Sequence, residues 1–82
     1  MTMSDHQDSE HFMGVRHEDD IFAMLDRAER TKNYHYTKAQ VCKSKEHMKD
    51  MLFHMRNYKA LEGVCKALRW TLGDKDVKHP LE

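Results

Sequence analysis

From Ser44 to Leu72 the chain repeats itself every seven residues, through Ser44, Met51, Tyr58, Cys65 and Leu72. No Pro and only one Gly, Gly63, fall inside that span. A sustained seven-residue row keeps one side of an α-helix turned toward a partner, and it has no counterpart in the two-residue period of a strand. The apolar flank beside the row changes sides, with Val41, Met48 and Met55 supporting it early and Leu61 and Leu68 late. In the stretch Tyr58–Leu72 a second flank joins, formed by Gly63, Ala67 and Trp70. A helix on a single core needs one apolar stripe, so this half asks for more than one neighbour.

Local start and stop signals place the helices. Thr37 and Gln40 have capping-box spacing, with Tyr36 and Val41 at the positions of a hydrophobic staple. Gly73 suits the left-handed residue that ends a helix after Leu72. One long helix over about 38–72, ~52 Å by helical rise, is therefore expected, with a break near Asn57 as the alternative. Upstream, Asp19 or Asp20 can cap a shorter helix over about 19–31, in which Ile21, Met24, Leu25 and Ala28 share one face. Asn33 and the aromatic residues around His35 supply the turn. The predicted fold is all-α, the short helix folding back on the long one as an αα-hairpin completed by dimerisation or higher oligomerisation, in the manner of a coiled coil. Residues 1–17, polar and His-rich, read as a flexible arm in which Phe12, Met13 and Val15 are the apolar exceptions. Residues 18–74 form the hairpin domain and 75–82 a disordered tail.

Composition agrees with helices that complete their core by association. Hydrophobic residues make up 39% of the 82 positions and charged residues 34%, too charged for a compact single-chain core and too apolar for full disorder. Formal net charge is zero, but it is unevenly distributed. Residues 1–30 carry eight acidic and three basic side chains (−5), 31–72 three and nine (+6), and 73–82 three and two (−1). That split favours folding front onto back, or copies that pair opposite signs. Two cysteines without CxxC spacing point to free thiols in a reducing compartment, and no apolar run reaches the ~20 residues of a membrane span. The polar, acidic start does not look like a signal peptide. A cytoplasmic protein, with no membrane partner, is expected.

Catalytic and metal-binding patterns are weak. His47, Asp50 and His54 share a helix face, but seven residues put the two histidines ~10 Å apart, too far to grip one zinc ion. No HExxH, Gly-rich phosphate loop, serine elbow or Cys-His arrangement occurs. Non-enzymatic action, without metal or cofactor, is the expectation. Met48, Met51 and Met55 read as core before they read as an adaptable binding face. Lys38, Lys45, Lys49, Arg56 and Lys59 line one edge of the predicted long helix and are the candidate nucleic-acid contacts, although no helix-turn-helix, zinc-finger or RNA-motif signature accompanies them.

The run Leu61-x-Gly63, then Ala67-Leu68-x-Trp70-x-Leu72-Gly73-Asp74, resembles the L-x-G-x3-A-L-x-W-x-L-G-[DE] ending of small helical proteins of unknown function encoded by tailed phages and prophages. It covers about 14 of the 82 residues. The resemblance implies a genomic setting, with the host-cell cytoplasm as location. The function expected first is a protein-interaction factor, either a modulator of a host protein or a small virion-assembly component. It would act as a homodimer or larger oligomer through Tyr58, Leu61, Gly63, Val64, Cys65, Ala67, Leu68, Trp70 and Leu72. The alternative is a dimeric nucleic-acid-binding regulator that presents the basic stripe.

Overall fold

The computed structural model describes residues 14–82 and is an α-helical hairpin. Helix α1 spans Glu18–Ser44 and helix α2 spans Met48–Thr71, packed against each other along their length. The all-α hairpin is thus the fold, and its turn lies elsewhere than the sequence signals suggest. Residues 32–37 do not turn. They continue α1, so that it has 27 residues rather than about a dozen, and α2 begins at Met48 rather than at Lys38. The alternative break near Asn57 is likewise absent, since Asn57 lies inside α2.

The reason lies in how the two helices match. On α1, Ile21, Leu25, Ala28, Lys32, His35, Ala39 and Cys42 are all buried or half-buried, at alternating steps of four and three residues. On α2, Met51, His54, Tyr58, Leu61, Cys65, Leu68 and Leu72 do the same at steps of three and four. Two stripes of seven face each other from end to end, which a turn at residues 32–37 would have forbidden. The gain along the whole seam exceeds what the Thr37 capping box offers, about 1 kcal/mol. Met24, expected on the inner face, lies outside this stripe and is 52% exposed.

The turn at Lys45–His47 contains neither Gly nor Pro. Glu46 takes the left-handed conformation, φ 61°. Its N–H donates to the Lys43 carbonyl (3.1 Å), and the His47 N–H donates to that of Cys42 (2.8 Å). This is the paired closure of a Schellman motif. The same motif ends α2 at the predicted place: Gly73, φ 84°, donates to Trp70 and Asp74 donates to Arg69, each at 3.0 Å. At the start of α1 the cap is His17, whose Nδ1 accepts from the Asp19 N–H at 3.1 Å. Asp19 and Asp20 therefore sit in the first turn, with Glu18, where carboxylates favour the helix dipole.

Very little of this hairpin is inside. Among the described residues only Ala28, Ala39 and Cys65 are fully buried, and Cys65 is the largest of them. No described helix is long and apolar enough to cross a membrane. Residues 1–13, most of the predicted arm, lie outside the described residues.

Candidate interaction face

The seam carries polar residues where a helix pair ordinarily carries leucines. His35 on α1 meets His54 on α2, their Nδ1 atoms 2.9 Å apart in a hydrogen bond that needs one ring to donate and the other to accept. Tyr34 and Phe53 close around this pair edge-on, with ring centroids 6.2 Å from His54 and His35 respectively. Nearly two helical turns toward the open end, the Glu29 carboxylate is held between Lys32 (3.1 Å) and the guanidinium of Arg69 on α2. Burial pushes the Cys65 thiol above its ordinary value, an effect the Lys32 ammonium opposes in part. On the Glu29 side of the seam, Tyr36 packs against Tyr58 with tilted rings, centroids 5.4 Å apart.

Outside the seam, one side of the hairpin is apolar and wet. On α2, Phe53, Ala60, Val64 and Ala67 lie at steps of seven, four and three along one edge, all exposed, with Phe53 57% open. Trp70, 52% exposed, borders the edge. On α1 the matching edge runs through Met24, Arg27, Thr31, Tyr34, Lys38 and Val41, so two cations interrupt its apolar residues. The Tyr34–His54 and His35–Phe53 ring contacts place both edges on the same side of the molecule. Lys38 lies over the Tyr34 ring at 5.9 Å, keeping its charge beside an aromatic face. At the open end, Ile21, Ala23, Met24 and Leu68 line a groove of about 440 Å³ between the helices. The C-terminal segment turns to the other side, where Val77, Pro80 and Leu81 border a space shared with Lys59, Glu62 and Arg69. It leaves the apolar side uncovered.

The predicted interface residues therefore divide into two sets. Tyr58, Leu61, Cys65, Leu68 and Leu72 form the α2 stripe of the hairpin's own seam, so the chain itself covers them. Tyr58–Leu72 is paired within its own chain because α1 is twice as long as the turn signals indicated. Gly63, Val64, Ala67 and Trp70 remain exposed, and a side chain at Gly63 would meet open space. Of Met48, Met51 and Met55, the last two are half-buried while Met48 is 54% exposed.

The turn also divides the basic stripe. Lys38 belongs to α1, Lys45 to the turn, and only Lys49, Arg56 and Lys59 stay together on α2. His47 caps α2 without a side-chain hydrogen bond and is separated from His54, whose partner is His35. Among the described residues, no three His, Cys, Asp or Glu side chains converge as a metal-holding group. The signal that could have located the seam was in the sequence: the four–three spacing from Ile21 to Cys42 crosses the region assigned to the turn without a break. Its polar members, Lys32 and His35, hid it from a search for apolar residues.

No protein-family model matches the chain, and no curated protein or solved structure is significantly similar to it.

Proposed function

We propose that this chain is a small non-enzymatic protein-interaction factor that works by covering the apolar side of its hairpin with another protein. The observation that supports this reading is the Phe53–Ala67 edge beside Trp70 and Tyr34. Large apolar side chains are there about half exposed, on a molecule whose fully buried described residues are two alanines and a cysteine. Leaving such a side in water forfeits about 25 cal/mol for every Å² of apolar surface. In the setting implied by the phage-like ending, the role would be modulation of a host protein or a part in virion assembly, in the host-cell cytoplasm. The nucleic-acid reading draws less support, because the turn divides the five cations that were to track a phosphate backbone.

Ala67→Glu tests the reading. Residue 67 is exposed in the hairpin, and Glu is a good helix former, so the fold should be retained by circular dichroism. Tagged full-length wild type should co-capture untagged polypeptide, including untagged copies of itself, when co-expressed in a bacterial host, and the variant should lose that capture. Equal capture by both proteins would remove the apolar side from consideration. Retention on a heparin column with steep salt dependence would favour the nucleic-acid alternative.

A further inference from the structure

We infer that the occupant of the apolar side is a second copy of this chain, laid antiparallel across it so that the open end of each hairpin meets the turn end of the other. This rests on the interaction reading above and adds the partner and its direction. Helix α1 carries its charge unevenly. Its first half, Glu18–Thr31, carries five carboxylates and two guanidiniums; its second half, Lys32–Ser44, carries Lys32, Lys38 and Lys43 and no acid. Glu29 and Lys32 pair within the seam, which leaves the two halves at −2 and +2.

Two hairpins stacked on the same side under a closed two-fold axis can run in only two ways. With the axis perpendicular to the helices, α1 lies over the other α1 reversed, and each −2 half meets a +2 half. In the same arrangement α2 over α2 sets Met48–Asn57 (Lys49 and Arg56 against Asp50, net +1) on Tyr58–Thr71 (Lys59, Lys66 and Arg69 against Glu62, net +2). With the axis along the helices, α1 lies over α2 and the turn ends coincide. The −2 half of α1 then meets the +2 half of α2, but its +2 half meets the +1 half at the turn end. Both arrangements pair opposite signs to the same extent, so shape separates them.

Shape favours the first arrangement. It lays α2 over α2 along Ala60, Val64 and Ala67, all small enough for close approach. It also brings the turn half of one copy, where Phe53 is 57% exposed, toward the apolar groove at the open end of the other. A side about 36 Å long and two helix diameters wide offers roughly 700 Å² per copy, close to the ~800 Å² of a standard interface.

Light scattering on the full-length chain over a concentration series, at low and physiological salt, tests this with two reversed variants. One carries Glu18→Lys, Asp19→Lys and Asp20→Lys; the other carries Lys38→Glu, Lys43→Glu and Lys45→Glu. Wild type should be a dimer, and each variant alone should dimerise at least about tenfold more weakly at low salt. An equimolar mixture should recover the dimer, which also shows that both variants fold. Homodimers as tight as wild type, or a mixture that stays dissociated, would overturn the antiparallel placement. A wild type that is monomeric at several hundred micromolar overturns the second copy as occupant. If that monomer binds an apolar dye at the side, and Ala67→Glu abolishes the binding, the interaction reading survives with a different partner. If the monomer binds no dye, both readings fall.

Discussion

Glu46 carries a conformational cost that its neighbours impose. At φ 61° an L-residue other than Gly, Asn or Asp is disfavoured by about 1–2 kcal/mol, and nothing in the side chain of Glu relieves it. The seam on either side holds the turn there. Glu46→Gly should therefore raise the melting free energy by up to ~1 kcal/mol, the relief of strain exceeding the extra freedom of the unfolded chain. Glu46→Ala should be near neutral. A lower melting temperature for the Gly variant would show that this residue is not left-handed in solution. Cys65 offers a second test at this scale. Its folded thiol titrates above the ordinary value of 9.0 because burial disfavours the thiolate. The stabilising contribution is then fully present below pH 9 and is lost as pH rises through the folded value. Wild type should lose stability above pH 9 more steeply than Cys65→Ala, and iodoacetamide should modify half-exposed Cys42 first. Parallel stability curves for the two proteins would contradict the burial of this thiol.

Thr37 shows how a strong local signal loses to the pairing of whole elements. The T-x-x-Q pattern can start a helix, but here Thr37 is exposed in the interior of α1. Ala at that position improves helix propensity by a few tenths of a kcal/mol, whereas removal of a true cap would cost about 1 kcal/mol. Thr37→Ala should thus be neutral or slightly stabilising in thermal melts at matched concentration. A clear loss of stability would return the start of the second helix to Lys38. The class of fold, the seven-residue row on α2 and the Gly73 stop were legible because each rests on a residue or period with a specific backbone meaning. The position of the turn was not legible, since Glu46 has no left-handed preference and Ser44-Lys45-Glu46 contains no breaker. The exposed Gly63, Val64, Ala67 and Trp70 could be read as a second flank, but their separation from Leu61, Cys65 and Leu68 could not. That separation depends on the full length of α1.

At the scale of the whole molecule, adjacent residues of α2 face different surroundings. Leu68 is half-buried in the hairpin's own seam, beside the groove lined by Ile21 and Met24. Ala67, one residue away, is on the wet side. A carboxylate at residue 68 replaces an apolar contact of the seam with a charge next to Asp20, so Leu68→Glu should lose helicity at every concentration. A carboxylate at residue 67 disturbs nothing within the hairpin. Ala67→Glu should keep its helices at concentrations where the hairpin is populated, while its melting temperature should lack the protein-concentration dependence that the proposed association would confer on wild type. The pair of variants therefore separates folding from association, which a single substitution in this segment cannot do. Equal loss of helicity in both would mean that the hairpin does not exist apart from the assembly, its three small buried residues being too few to hold two helices together. Equal tolerance of both would mean that Leu68 is not in the seam, and the packing of α1 on α2 would have to be redrawn.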